Sequence, residues 1–127
     1  MKIIVNNSSM VPIYEQIIEQ IKKMIVDREL KENTILPSVR ALAKELKISA
    51  LTVKKAYDIL EEEGFTVTIH GKGTYVAATN AEKLIEEYRK EIEKELEDTV
   101  RKGCRYGLLT SEIRDMFNII LEDLPND

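Results

Sequence analysis

One continuous run, residues 36–76, constrains the fold of this chain more than any other feature. Its patterns predict a helix, a tight turn, a second helix and then a β-hairpin closed by Gly71 and Gly73. Two helices joined by a tight turn and followed by a hairpin form a winged helix-turn-helix. The run is LPSVRALAKELKISALTVKKAYDILEEEGFTVTIHGKGTYV.

Local chemistry supports each boundary within this run. Ser38 and Ser49 are predicted N-caps, because a serine oxygen can accept a hydrogen bond from a free N–H of the first turn. Lys47 and Ile48 are predicted to form the turn between the helices, and Gly64 to end the second helix in a left-handed conformation. The residues of that helix predicted to be buried are Val53, Ala56, Tyr57 and Leu60.

The flanking elements follow from periodicity. Lys2–Val5 is predicted to be a short β-rich segment, and a helix is predicted to begin at Pro12. Paired strands are expected over Phe65–Ile69 and Thr74–Ala78. The core face of the first helix is predicted to carry Ile13, Ile17, Ile18, Ile21, Met24 and Ile25.

The last fifty residues predict two further helices. Asn80 is expected to cap a long one, Gly103 and Gly107 to bracket a break, and Thr110 or Ser111 to cap the last. Each helix has one apolar face that the other cannot cover alone, so a second copy of the chain is the expected cover. The residues predicted to form this dimer interface are Leu84, Tyr88, Ile92, Leu96, Ile113, Met116, Phe117, Ile120 and Leu121.

The predicted fold class is therefore α+β. A winged helix-turn-helix domain over residues 1–79 precedes a two-helix α-hairpin dimerisation domain over residues 80–127.

Charge is divided unevenly along the chain. The net charge is −4, yet residues 1–79 carry eleven Lys/Arg against ten Asp/Glu, and residues 80–127 carry eight against thirteen. Residues 36–57 hold five cations and one anion, a net charge of +4. Because salt screens each charge beyond about 8 Å, a local patch can attract phosphate on an acidic protein. DNA is the expected partner.

The sequence lacks the residue patterns that indicate an enzyme or a metal-binding protein. No nucleophile–histidine pairing, phosphate loop or zinc-protease spacing is found, and the carboxylates of Glu61–Glu63 are predicted to be solvated surface. The single cysteine, Cys104, excludes an internal disulfide and a cysteine-based metal cluster within one chain. Neither a signal peptide nor a membrane span is found. We expect a cytoplasmic protein that is not an enzyme and has no metal or cofactor.

Five motifs in the expected order resemble the DNA-binding domain of the GntR family of bacterial transcriptional regulators. The resemblance covers residues 1 to about 78, and the β-like start and the tail of about fifty residues resemble the YtrA subfamily. The motifs are Pro12-Ile13-Tyr14-Glu15-Gln16-Ile17, Leu36-Pro37-Ser38-Val39-Arg40-Ala41-Leu42-Ala43, Thr52-Val53-x-x-Ala56-Tyr57, Leu60-Glu61-x-Glu63-Gly64 and Gly71-Lys72-Gly73-Thr74-Tyr75-Val76.

This resemblance implies a homodimer that binds an imperfect palindrome in double-stranded DNA, usually as a repressor. In the YtrA subfamily the tail is a two-helix dimerisation element. Neither the operator nor a small-molecule effector is implied by any residue of the chain.

The resemblance also implies DNA contacts. Arg40 matches the family's DNA-contacting arginine, although it could instead offset Glu45 on the surface. Thr52 and Lys54 match family contact positions on the second helix of the turn, whose first residues meet base edges in such proteins. Ser49 is expected to cap that helix, with its backbone N–H near a phosphate.

Two further segments are included in the predicted interface. His70, Gly71 and Lys72 form the wing tip, where glycines permit close approach to DNA and cations would lie beside the minor groove; an ordinary hairpin turn would also explain the glycines. Ala50 and Leu51 depart from the polar residues of many relatives. They could contact a thymine methyl, or Leu51 could pack against the wing or a partner.

Two alternatives to a dimeric DNA-binding regulator remain at this level. A winged helix can serve protein–protein contact, but that use gives no reason to gather a +4 patch over residues 36–57. A ligand sensor with a small effector at the dimer interface is the other, although the tail is too short for a sizeable enclosed site.

Overall fold

The computed structural model describes residues 1–78 and 81–125. The described chain divides into two compact units, Met1–Leu84 and Ile85–Asp127. The predicted domain boundary, between residues 79 and 80, and the predicted cap Asn80 lie outside the described residues.

The first unit contains three complete helices and a hairpin. The helices are α1 (Ile13–Val26), α2 (Val39–Leu46) and α3 (Ala50–Glu62), and the strands are β1 (Thr66–Ile69) and β2 (Gly73–Val76). The strands pair antiparallel, with Thr66 opposite Val76 and Thr68 opposite Thr74. This order of elements is the predicted winged helix-turn-helix, in an α+β fold.

Both serine caps are confirmed. The Ser38 hydroxyl accepts a hydrogen bond from the N–H of Ala41 at 3.1 Å, and that of Ser49 accepts one from the N–H of Leu51 at 3.1 Å. Lys47 adopts a left-handed conformation in the turn, with φ of 57°. Gly64 has φ of +84°, so its lack of a Cβ lets the chain leave α3 without strain.

The core lies where α1, α2 and α3 meet the hairpin. α3 packs against both other helices and against β1. Four apolar residues of α3 are buried as predicted, and on α1 Gln16 joins the core face although it is polar. The largest fully buried apolar side chains are Ile17, Ile21, Leu42, Val53, Leu60 and Val76.

The wing has a third pairing segment beyond the predicted hairpin. Backbone hydrogen bonds join Asn33 and Thr34 to Val76, and the N–H of Leu36 to the carbonyl of Thr74 at 2.8 Å. The chain before α2 therefore lines the free edge of β2, which ties the start of the helix-turn-helix to the wing.

The predicted β-rich segment Lys2–Val5 does not form a strand. Ile3 is buried, but the backbone N–H and carbonyl of Ile4 bond the side-chain amide of Gln20 at 3.0 and 2.7 Å. Gln16 likewise accepts from the N–H of Asn6 at 2.8 Å. The prediction was wrong because amide side chains of α1, rather than a neighbouring strand, satisfy this backbone.

The second unit contains most of α4 (Ala81–Arg105) and all of α5 (Thr110–Asp123). The predicted break between Gly103 and Gly107 is confirmed, since α4 ends at Arg105, although the helix continues through Gly103 itself. A Cβ on Gly103 would lie 3.0 Å from Cδ1 of Ile113, so the glycine allows α5 to approach. The chain turns at Gly107, with φ of +93°.

The cap of α5 also differs from the prediction. Leu109, rather than Thr110 or Ser111, occupies the N-cap position, and its N–H donates to the Glu112 carboxylate at 3.0 Å. A carboxylate reaching back from the first turn thus satisfies a backbone group without a hydroxyl cap. No described side chain of α4 or α5 is buried.

Candidate nucleic-acid interface

A groove of about 420 Å³ lies between the helix-turn-helix and the wing. Arg40 comes from α2, Leu51 and Lys54 come from α3, and Thr68 and Thr74 come from the two strands. Val39, Ala50, Tyr57 and Asp58 complete its lining.

Several local contacts position these elements around the groove. The Tyr57 hydroxyl of α3 donates to the carbonyl of Pro37 at 2.8 Å, which holds the start of α2 beside α3. Burial raises the pKa of this phenol well above its usual range, and the nearby Glu45 carboxylate adds to the effect. The hydroxyl therefore stays a donor, and Arg40, two residues into α2, is held at the groove.

A second contact holds the wing to α3. The Glu61 carboxylate accepts a hydrogen bond from the N–H of Thr68 at 3.0 Å, and the hydroxyls of Thr68 and Thr74 lie 3.0 Å apart across the strands. Glu63 forms an ion pair with Lys22. Glu61–Glu63 is exposed as predicted. The contacts of Glu61 and Glu63 were not predicted, because spacing along one helix does not indicate that a strand returns beside it.

The cations of the groove are accessible. Arg40 is exposed, and within the described residues it makes no ion pair with Glu45. Lys54 pairs with Asp58 at 2.8 Å, but both side chains are about 60 % exposed. An exposed pair of this kind contributes about 0–1 kcal/mol, so Lys54 can exchange Asp58 for a phosphate at small cost.

The two adjacent lysines of α3 face different neighbours. Lys54 lines the groove, whereas the Lys55 ammonium lies 3.9 Å from the centroid of the Tyr14 ring of α1. A cation over an aromatic face is attracted by the ring's negative potential. Lys55 is thus engaged with α1, which leaves Lys54 as the groove lysine of the pair.

The other predicted contact residues are distributed unevenly. Ala50 is exposed and lines the groove, the hydroxyl of Ser49 is occupied as the α3 cap, and Thr52 is half-buried. His70, Gly71 and Lys72 are exposed at the wing tip but do not line the groove.

Leu51 is the groove residue that the sequence left between two interpretations. Its side chain is 78 % exposed, so it does not pack against the wing. Thr68 and Thr74 also line the groove and were not predicted to do so. The predicted pairing of the strands could have indicated this, because residues directly opposite each other on paired strands, such as Thr68 and Thr74, lie on the same face of the hairpin.

The described residues bring no three His, Cys, Asp or Glu side chains together as a possible metal site. Among the helices of residues 1–78 and 81–125, none is long and apolar enough to cross a bilayer.

Comparison with known proteins identifies the family. The profile of the bacterial regulatory proteins of the gntR family matches residues 13–76. The HTH-type transcriptional repressor YtrA of Bacillus subtilis (strain 168) is 34 % identical over 116 residues, which are 91 % of this chain and 89 % of that protein.

Solved structures agree with the fold. A transcriptional antiterminator from Listeria monocytogenes EGD-e superposes with a TM-score of 0.67 at 30 % identity, covering 100 % of this chain and 96 % of that one. The AraR DNA-binding domain in complex with operator ORX1 gives 0.54 at 25 % identity, covering 61 % and 96 %.

These relatives are regulators of transcription rather than enzymes, as the sequence predicted for this chain. The matched profile spans the helix-turn-helix, the groove and the wing. The chain belongs to the GntR family of bacterial transcriptional regulators, with a winged helix-turn-helix DNA-binding domain.

Proposed function

We propose that this protein is a repressor that binds an imperfect palindromic operator as a homodimer. The observation that carries the proposal is the groove between α2, α3 and the wing, where exposed Arg40 and Lys54 flank the open first turn of α3. A helix N-terminus with accessible cations beside it suits entry into the major groove of DNA.

In the proposed complex, α3 enters the major groove. Arg40 bonds a phosphate or the N7 and O6 acceptors of a guanine, while Lys54 leaves Asp58 and bonds a phosphate. Lys72 and His70, exposed at the wing tip, lie beside the neighbouring minor groove. The AraR domain, whose solved complex holds an operator, supports this use of the shared fold.

The tail supports a homodimer. Ile92 is 54 % exposed on α4, and Phe117 and Ile120 are 43 % and 55 % exposed on α5. Since burying one such side chain stabilises a protein by about 1.5–3 kcal/mol, helices without a core of their own gain most from a partner. A second copy offers the same apolar surface, and a two-fold pair is self-complementary.

Dimerisation and DNA recognition are linked by symmetry. Two identical winged domains related by a two-fold axis present two α3 helices to two half-sites of opposite orientation. The operator is therefore palindromic, with a spacing set by the tail. The B. subtilis relative is named a repressor, which supports that direction of regulation here, and we assign the protein to the cytoplasm, where its DNA target lies.

Selection of duplex DNA from a random pool by the purified protein tests the proposal. The enriched sequence is then titrated against a scrambled duplex at two salt concentrations. We expect an enriched inverted repeat that is bound far more tightly than the scramble, with a stoichiometry of two chains per duplex. Placing it downstream of a promoter in a transcription assay should lower transcript yield when the protein is added.

Three results contradict parts of this proposal separately. Equal binding to all duplexes, abolished by moderate salt, contradicts sequence-specific recognition. An enriched sequence without two-fold symmetry, bound by one chain, contradicts the homodimer. A rise in transcript yield contradicts repression.

A further inference from the structure

Leu51 has an unusual position for a large apolar side chain. It lies in the first turn of α3, lines the groove beside Arg40 and Lys54, and is 78 % exposed. What distinguishes it from other exposed apolar residues is its place in the groove, where a ligand that enters would cover it.

The neighbouring polar side chains are less available to a base. The Ser49 hydroxyl accepts the N–H of Leu51 as the α3 cap, and Thr52 is half-buried. Ala50 presents only a methyl group. The exposed surface at the tip of the recognition helix is therefore apolar, while its charge comes from Arg40 and Lys54 at either side.

An apolar tip restricts which base it can recognise. A leucine side chain neither donates nor accepts a hydrogen bond, so it discriminates against base edges whose donors and acceptors it would desolvate. Thymine alone among the standard bases presents a methyl group in the major groove. Contact between two apolar groups removes both from water at no polar cost.

We propose that Leu51 is a specificity-determining residue that contacts the C5-methyl group of a thymine, one in each half-site. This inference rests on the proposed operator binding and names the chemistry of one of its base contacts. Arg40 and Lys54 hold α3 against the DNA backbone, and Arg40 can also bond a guanine. Leu51 sets a preference for a T·A base pair beneath the first turn of α3.

Replacement of thymine by deoxyuridine tests the proposal. The exchange removes only the methyl group and leaves base pairing and all hydrogen-bonding groups unchanged. In the operator obtained by selection, each thymine is replaced in turn, symmetrically in both half-sites, and the dissociation constant is measured. For the parent protein we expect one position where affinity falls about two- to fivefold per half-site, the effect of one methyl group.

Leu51→Ala then links that methyl group to the side chain. At the sensitive position, the variant should bind the thymine and deoxyuridine duplexes with equal affinity. Met10→Ala, which removes a large side chain that is 98 % exposed and outside the groove, should keep the sensitivity of the parent. Because Leu51 is exposed and alanine favours helices, both variants should keep the parent's circular dichroism and melting temperature.

The outcomes separate the inference from the function on which it rests. Specific binding of the selected operator with no deoxyuridine-sensitive position overturns the role of Leu51 and leaves the regulator intact. Sensitivity that persists in Leu51→Ala also overturns it, because another residue then contacts the methyl group. Failure of the parent to prefer any duplex overturns the operator binding, and the inference falls with it.

Discussion

The residues at the groove fall into two groups, those available to contact DNA and those that support the surrounding elements. Arg40 is exposed and lies in the first turn of α2, at a groove where Lys54 is also accessible. Glu61 and Tyr57 instead bond backbone groups of the wing and of the segment before α2. In the proposed complex Arg40 and Lys54 contact DNA, while Glu61 and Tyr57 hold the elements that surround the groove.

Arg40→Ala should weaken operator binding without affecting the fold. Loss of a contact to guanine costs about 1–3 kcal/mol, or roughly five- to 150-fold in dissociation constant. Fluorescence anisotropy titration at one salt concentration measures it. Lys23→Ala removes the same charge from α1, outside the groove, and should change affinity by less than about twofold. Equal losses in the two variants would show that only overall charge matters.

Tyr57 predicts a pH dependence of stability. Burial raises the pKa of its phenol above the usual value of about 10, so the folded chain retains a proton that the unfolded chain loses. The contribution is complete below pH 10 and is lost as the pH rises toward the folded-state pKa. The free energy of unfolding should therefore fall more steeply above pH 10 in the parent than in Tyr57→Phe.

Urea denaturation at pH 8 and at pH 10.5–11 measures this difference. At pH 8, Tyr57→Phe should cost about 0.5–1.5 kcal/mol, because the Pro37 carbonyl loses its hydrogen bond. Tyr106→Phe removes the hydroxyl from a side chain that is 74 % exposed and should retain the parent's slope. A Tyr57→Phe variant with the same alkaline slope as the parent would refute the assignment.

At the scale of elements, α1 packs against the core and also binds the N-terminal segment. One side of the helix supplies isoleucines to the core, and its Gln16 and Gln20 side chains bond the backbone of the N-terminal segment. Two amides thus replace a strand partner, since each offers both a donor and an acceptor. The first residues of the chain are part of the domain for this reason.

Gln16→Ala should destabilise the first unit by about 1–3 kcal/mol. The substitution leaves the N–H and carbonyl of Asn6 and the carbonyl of Val11 without the partners that Gln16 provides. Urea denaturation followed by circular dichroism measures the loss. Glu19→Ala, at an exposed position of the same helix, should stay within about 0.5 kcal/mol of the parent. Similar values for both variants would contradict a structural role for Gln16.

At the scale of the whole molecule, the two units differ in how they are stabilised. Met1–Leu84 contains a buried core, whereas no side chain described in α4 or α5 is buried. These two helices approach each other where Gly103 meets Ile113, and they share little contact beyond that junction. The absence of buried side chains among the described residues of these helices is the physical argument for the proposed homodimer.

Phe117→Asp should convert the dimer to a monomer while the first unit stays folded. A carboxylate within an apolar interface must be desolvated without a partner, which costs several kcal/mol. Sedimentation velocity measures the mass, and operator titration should show a loss of specific binding. Asn118→Asp adds the same charge at the next residue, which is exposed, and should remain dimeric. A dimeric Phe117→Asp variant, or a monomer with the parent's operator affinity, would contradict the coupling.

The elements that the sequence alone determined are those governed by neighbouring residues. Ser38 and Ser49 cap their helices, Gly64 ends α3, and Gly71 turns the hairpin, because caps and positive φ depend on a few adjacent atoms. The period of the apolar residues likewise predicted the buried face of α3. The winged fold followed from these short-range patterns in their order, and the family from the resemblance of five motifs. The dimer interface stays a prediction.

Contacts between distant residues needed the tertiary structure. Local sequence predicted a β-rich segment at Lys2–Val5, but the side-chain amide of Gln20 bonds the backbone of Ile4 instead. Glu61 is exposed as predicted, yet its hydrogen bond with the N–H of Thr68 joins two elements and could not be read from either one. The same holds for Leu51, whose helical position was clear although its exposure was not. Contacts between distant residues depend on packing, which results from many weak interactions spread over the whole chain. A short segment of sequence therefore does not show which distant groups will meet.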